Sequence, residues 1–102
     1  MIDLSYDFDA DLWLWPAKDA WHFITLPVEH AEEIRFFAKT RNGFGSLRVT
    51  VRIGASAWKT SIFPDSGSGS FVLPIKKEIR KAEGLAAGDR ARVHLELAIE
   101  PF

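Results

Sequence analysis

The stretch Ile24-Thr25-Leu26-Pro27-Val28 has a counterpart in Phe71-Val72-Leu73-Pro74-Ile75, which begins 47 residues later in a chain of 102 residues. Both stretches are β-prone and end in Leu-Pro followed by an apolar residue. Because proline is favoured in the first turn of a helix, each stretch predicts a strand that leads into a helix. A repeat at nearly half the chain length predicts two β-β-α-β halves that close one barrel. The alternative is a chance match, since Leu-Pro pairs are common.

Alternation of apolar and polar residues predicts most of the strands around these two stretches. The six predicted strands lie at residues 5–15, 20–26, 46–54, 56–63, 71–73 and 90–99, and the two short helices open at Pro27 and Pro74. The first helix is predicted to bury a stripe made of Val28, Ala31, Ile34 and Ala38. We therefore expect a mainly β fold, a small barrel with two short α-helices, an internal pseudo-two-fold repeat and a single domain over residues 1–102.

The composition excludes several kinds of site. Of the residues, 47% are hydrophobic and 26% are charged, and none is cysteine. The lack of cysteine excludes disulfides, thiolate metal sites and cysteine nucleophiles. No histidine has a partner at metal-ligand spacing, so we predict no metal, no cofactor and no catalytic residue. No run reaches the roughly 18 apolar residues of a membrane helix, and the acidic N-terminus is unlike a signal peptide. We expect a cytoplasmic protein.

The net charge of −1 conceals an uneven distribution. Residues 1–34 hold eight acidic residues and one basic residue, whereas residues 35–102 hold twelve basic and six acidic residues. Such a division can mark a face that binds polyanions. The alternative is that the two parts pair within one domain. The near-zero total charge favours the pairing, because it gives no long-range attraction to nucleic acid.

Two family resemblances cover parts of the chain. The segment from Leu73-Pro74-Ile75 to Gly88-Asp89-Arg90 resembles the strand–helix–Gly-Asp–strand element of AbrB/MazE-type swapped-hairpin proteins, which are small dimeric DNA-binding domains. By this resemblance, residues 73–97 form an AbrB-like half-barrel. Four motifs follow one another along the chain, namely Trp21 to Pro27, Gly43-Phe44-Gly45-Ser46, Trp58 to Pro64 and this AbrB-like segment. Together and in this order, they resemble the bacterial family catalogued as domain of unknown function 1905.

The second resemblance implies a double-split β-barrel, in which one chain supplies both halves that AbrB-like proteins form as a dimer. We accordingly expect a monomer. One departure is Phe44, where the family pattern has Trp, and it weakens any assignment of a stacking platform at this position. The family has no established activity, so this resemblance carries a fold and little function.

Aromatic residues next to cations form the first candidate site. Trp13 and Trp15 fall on the face of the first strand opposite its apolar stripe, and Trp58 precedes Lys59. Such a set can stack a planar ligand or a base, or mark a protein interface. The candidate ligand-binding residues are Trp13, Trp15, Trp58, Lys59, Thr60 and Ser61. The alternative is that both faces of the first strand are covered by the fold.

The second helix carries the other candidate site. Lys76, Lys77, Arg80 and Lys81 lie close together, and basic residues contact DNA in AbrB-like proteins. Glu78 and Glu83 lie among them, which is also typical of an ordinary solvated helix face. We therefore predict a non-enzymatic module that binds an unknown small molecule or protein partner. The alternative is an AbrB-like nucleic-acid-binding protein, and the third possibility is an enzyme.

Overall fold

A computed structural model describes residues 4–16, 21–39 and 45–98. Their strands and helices follow the predicted order. The strands are β1 (Ser5–Leu14), β2 (His22–Thr25), β3 (Leu47–Ile53), β4 (Ser56–Asp65), β5 (Ser70–Pro74) and β6 (Arg90–Leu97), and the helices are α1 (Val28–Lys39) and α2 (Lys77–Glu83). The prediction of a mainly β fold with two helices is confirmed. Within the described residues, no helix is long and apolar enough to cross a membrane.

The six strands close into a barrel in the order β1-β2-β5-β4-β3-β6. Every neighbouring pair is antiparallel, and β6 joins β1 to close the sheet. Each strand thereby gains two hydrogen-bonding neighbours over at least part of its length, so none of the six has a wholly free edge. The predicted closed barrel is confirmed.

The core fills the inside of the barrel and follows from the period of two in the strands. Tyr6, Phe8 and Leu12 point inward from β1, and every second residue of β3 and β6 meets them. The inward residues of these two strands include Val49, Val51, Ile53, Ala91, Val93 and Leu95, all of them buried. The polar residues between them face outward.

Helix α1 begins directly after Pro27, whose carbonyl accepts the N–H groups of His30 and Ala31. Ala31 and Ile34 are fully buried, as predicted. The prediction for Val28 is wrong, because its side chain is 48% exposed. At about 100° per residue, Val28 lies at the margin of a stripe centred on Ala31 and Ile34. The side chain of Ala38 lies outside the described residues.

Helix α2 begins later than the sequence predicts. Pro74 still pairs with Phe23 as the last residue of β5, and the N–H of Ile75 donates to the carbonyl of His22 at 3.0 Å. These contacts extend the β2–β5 ladder past the proline, so the helix starts only at Lys77. It ends seven residues later at Gly84, which takes the left-handed conformation that glycine adopts easily.

Candidate functional site

Strands β4 and β5 pair only over the last three residues of β4. They pair at Phe63–Val72, Pro64–Phe71 and Asp65–Ser70 only. The earlier part of β4 remains paired with β3 as far as Ser56, whereas the chain after Pro74 leaves the sheet to form α2. A gap therefore opens between the two chain segments on the β5 side of β4.

A cavity of about 400 Å³ occupies this gap. We call it the β4–α2 cleft, and its lining residues are Trp21, His22, Trp58, Lys59, Thr60, Pro74, Ile75, Lys76 and Arg80. The volume falls within the roughly 300–1,000 Å³ of small-molecule sites. Apolar walls with a few convergent polar groups are also typical of such sites.

Strand β4 forms one wall of the cleft. Trp58 and Thr60 pair with Val51 and Val49 of β3 and share a strand face with the buried Ile62. Trp58 is partly buried and packs against the hydrophobic core. Because it packs against the core, its ring has a fixed position on which a flat ligand can stack.

The start of β2 and the segment into α2 form the opposite wall. Trp21 is 54% exposed at the mouth, and the apolar Pro74 and Ile75 lie behind it. The Nε–H of Arg80 donates to the carbonyl of Ile75 at 3.2 Å. This bond holds the guanidinium beside the wall and leaves its two terminal amino groups available to a ligand.

The cleft is cationic. Lys59, Lys76 and Arg80 line it together with His22, and no acidic residue is among the described residues of its wall. None of the salt bridges between described residues involves these three cations. The wall therefore carries three basic side chains that form no salt bridge within the described part of the chain.

The acidic residues of β1 are paired elsewhere. On the outer face of the barrel, Asp11 contacts Arg90 at 3.0 Å, Asp9 contacts Arg92 at 3.4 Å and Asp7 contacts His94 at 2.8 Å. These are cross-strand partners in the β1–β6 ladder. Three acidic residues of the N-terminal part thus pair along this ladder with residues of the C-terminal part, and the cations of the cleft are not among their partners.

Two titratable groups outside the cleft are perturbed. Hydrogen bonds from His94 to Glu96 and Asp7 raise the pKa of its imidazole, although Arg52 is its cross-strand neighbour on β3. Burial, followed by its hydrogen bond to the Glu33 carboxylate at 2.7 Å, raises the pKa of the Tyr6 hydroxyl. Both groups couple strands to their neighbours and lie away from the cleft.

The structure divides the aromatic candidates between two places. Trp58, Lys59 and Thr60 line the cleft, whereas the neighbouring Ser61 accepts a hydrogen bond from Arg48 at 3.3 Å and is not in the wall. Trp13 lies on the outer face of β1, and Trp15 directly follows the end of that strand. They belong to an aromatic cluster that also contains Trp21 and Phe23.

Trp13 and Trp15 differ in exposure. Trp13 packs on Phe23 with ring centroids 5.2 Å apart, and its Nε1–H donates to the Thr25 hydroxyl at 2.9 Å. Trp13 is therefore half-buried, against residues of β2 rather than beneath a helix. Trp15 is 45% exposed and meets Trp21 edge-on. Trp21 alone belongs to both the cluster and the cleft wall.

The four basic candidates of the second helix also divide. Lys76 and Arg80 line the cleft, while Lys77 and Lys81 are exposed and are not in its wall. Sequence reasoning missed Trp21, His22, Pro74 and Ile75 as wall residues. The first two belong to the motif that begins the family resemblance, which was the only signal available for them. Of the second motif, Gly43 and Phe44 lie outside the described residues.

Comparison with protein families shows which family the chain belongs to. A search of curated proteins gives no match. The profile of the family described as Domain of unknown function (DUF1905) matches residues 8–95, a range that includes residues of all six strands and the whole wall of the cleft. The chain therefore belongs to the family of domain of unknown function 1905.

Proposed function

We propose that the protein is a non-enzymatic module that binds a small molecule in the β4–α2 cleft. The observation that carries this proposal is the cavity of about 400 Å³ beside Trp58, Lys59 and Thr60. It combines an aromatic ring packed on the core, a hydroxyl and three basic residues that form no salt bridge with the described residues, the arrangement expected of a ligand pocket. We further propose a cytoplasmic monomer, since a single chain completes the barrel without a second copy.

We also propose that the barrel is a double-split barrel built from two related halves. Exchanging β1, β2 and β3 for β4, β5 and β6 reproduces the strand order. The exchange carries the Leu12–Ile24 pair onto Pro64–Phe71, and the Tyr6–Leu95 pair onto Trp58–Val51. The same correspondence relates Phe8 to Thr60, because their partners are Val93 and Val49.

The proposed correspondence explains why the cleft is open in one half only. In the first half, Tyr6 and Phe8 are buried beneath α1, and the ring of His30 lies 4.8 Å from that of Tyr6. In the second half, Thr60 replaces a phenyl ring with a hydroxyl and a methyl group. Helix α2 has seven residues where α1 has twelve, so it covers less of the barrel.

The alternative function is nucleic-acid binding in the manner of AbrB-like proteins. It needs Lys76, Lys77, Arg80 and Lys81 to act as one surface that neutralises several phosphates. The division of these residues between the cleft wall and the outer helix face favours a compact ligand instead. Undetectable DNA binding at about 50 mM salt would remove the alternative, since phosphate contacts are strongest at low salt.

Thermal denaturation against a chemically broad set of metabolites tests the proposed function. A ligand present at about 100 times its dissociation constant adds roughly 2.7 kcal/mol to stability. For a domain of this size, that corresponds to an increase in Tm of about 10–20 °C. We expect at least one class of compound to raise the Tm of the wild-type protein, and to lose this effect in Thr60→Phe, which fills the cleft.

The matched control is Thr50→Phe, which makes the same change on β3 outside the cleft wall. It should keep the response to ligand. If Thr60→Phe does not fold, Thr60→Leu provides a smaller narrowing of the cleft. A set of compounds that never changes the Tm, or a response that persists in both Thr60 variants, would overturn the proposed function.

A further inference from the structure

We propose that the ligand of the β4–α2 cleft is an anion that carries a flat aromatic ring, such as an aromatic phosphate or carboxylate. Lys59, Lys76 and Arg80 bind the anionic group, and Trp58 contacts the ring. This inference rests on the proposed function and adds the chemical class of the ligand.

Three basic residues lie together in the wall of the cleft. Lys59, Lys76 and Arg80 come from two different elements, β4 and the segment leading through α2, yet they line one cavity. Like charges brought together in a concave surface repel one another unless an anion lies between them. The basic residues of β6 have carboxylate partners from β1, whereas these three have none among the described residues. The missing counter-charge is what an anionic ligand supplies.

The way in which Arg80 is held favours an anionic group with more than one oxygen. The Arg80 guanidinium is tethered through Nε to the Ile75 carbonyl, so its remaining N–H groups present a fixed fork. A fork of this kind matches two oxygens of a phosphate or carboxylate. Lys59 and Lys76 are exposed point charges that add attraction without fixing direction. A group with several oxygens satisfies all three better than a halide ion does.

The wall of the cleft also contains aromatic and apolar residues that a flat ring can contact. Trp58 is packed against the core, and Pro74 and Ile75 line the same cavity. A ligand made only of charge would leave these apolar surfaces in contact with water. A flat ring stacks well on a fixed indole and also covers the apolar wall beside it. A ligand with both a ring and an anionic group contacts both the apolar residues and the basic residues of the wall.

Four small probes that differ in one feature test the inference. Phenyl phosphate has the ring and the anion, inorganic phosphate has the anion alone, benzyl alcohol has the ring alone, and benzylamine has the ring and the opposite charge. Binding is followed by chemical shifts of the Trp indole N–H groups and by calorimetry. We expect phenyl phosphate to bind at least about tenfold more tightly than the other three, a difference equal to about 1.4 kcal/mol.

Charge variants show whether the cleft does the binding. Lys76→Gln and Lys59→Gln should each weaken phenyl phosphate binding by about three- to tenfold, and Lys76→Arg should preserve it. Lys77→Gln removes the same charge from the adjacent position outside the wall and should change the affinity less than twofold. Added salt should weaken binding to the wild type more than to Lys76→Gln, since fewer charges remain to be screened.

Each contrary result has a distinct meaning. Tighter binding of benzyl alcohol or benzylamine, lost in Thr60→Phe, would overturn the anionic class while keeping the proposed function. Equal effects of Lys76→Gln and Lys77→Gln would overturn the assignment of the anion to the cleft. If none of the four probes binds, the inference is wrong. The broad metabolite set then decides whether the proposed function falls with it.

Discussion

Replacing Ser70 tests a buried hydrogen bond that joins β5 to the segment before α1. Ser70 begins β5, is only 2% exposed, and donates its hydroxyl proton to the carbonyl of Leu26 at 2.8 Å. Leu26 is itself buried, and its N–H donates to Phe71 at 3.0 Å. The Ser70 hydroxyl thus links β5 to the segment before α1 through a buried hydrogen bond.

The magnitude follows from that burial. A neutral hydrogen bond contributes about 0.5–1.5 kcal/mol net, and leaving a buried acceptor unsatisfied costs about 1–3 kcal/mol. Ser70→Ala removes the donor and adds no bulk, so we expect the free energy of unfolding to fall by about 1–3 kcal/mol. The corresponding fall in Tm is roughly 4–20 °C for a domain of this size.

Urea denaturation followed by Trp fluorescence measures this loss. Ser61→Ala is the matched control, because its hydroxyl accepts a hydrogen bond at the surface from Arg48. Surface substitutions of this kind change stability by no more than about 0.5 kcal/mol. If Ser70→Ala lowers the free energy of unfolding no more than Ser61→Ala does, the buried hydrogen bond from Ser70 to Leu26 does not stabilise the fold and the reasoning is refuted.

Three further predictions concern groups outside the cleft. The raised pKa of His94 means that its contribution to stability is full below about pH 6.5 and is lost as pH rises through that pKa. The stability difference between wild type and His94→Gln should therefore shrink on going from about pH 5.5 to about pH 9, and a constant difference would contradict this. Tyr6 is the only tyrosine, so absorbance titration should show tyrosinate only above the usual pKa of about 10. Glu33→Gln should lower that midpoint, and an ordinary midpoint in the wild type would refute the assignment. Gly84→Ala places a side chain at φ 66° with open space around it and should lower the free energy of unfolding by about 1–2 kcal/mol. At Gly54, where φ is 58°, the added methyl group would also collide with the Glu83 carboxylate, which accepts a hydrogen bond from Ser56 beside this turn. Urea denaturation should show the larger loss for Gly54→Ala, and equal losses would mean that the carboxylate moves aside freely.

The barrel could be predicted from sequence because its strands carry a strong local signal. In β1, Tyr6, Phe8 and Leu12 alternate with aspartates, and β6 alternates in the same way. Since side chains on a strand point to opposite faces in turn, this pattern gives both the strands and the inward residues. The two helices are predicted from Pro27 and Pro74, and closure into a barrel from the repeated Leu-Pro stretches and the family resemblance.

The candidate site was only half predictable. Trp58, Lys59 and Thr60 attract attention as an aromatic residue beside a cation and hydroxyls. The cleft itself exists because β4 and β5 stop pairing near Ile62 while the ladder between β2 and β5 continues through Pro74. That difference depends on pairing between distant segments and leaves no local periodicity to detect.

The proline before the second helix illustrates the same limit. Pro74 favours a helix start by its fixed φ, yet Phe23 pairs with it and draws the strand onward. The tertiary pairing overrides the local preference and delays α2 to Lys77. This delay carries Ile75 and Lys76 into the cleft wall, where a helix starting at the proline would have placed them differently.

The most direct test of ligand binding in the β4–α2 cleft is to locate bound phenyl phosphate by intermolecular nuclear Overhauser effects. Ligand binding in the cleft predicts contacts from the phenyl protons to the Trp58 indole and to the methyl group of Thr60. Contacts confined to the exposed Trp15, or to Lys77 and Lys81 on the outer face of α2, would place the ligand elsewhere and contradict the assignment of the cleft.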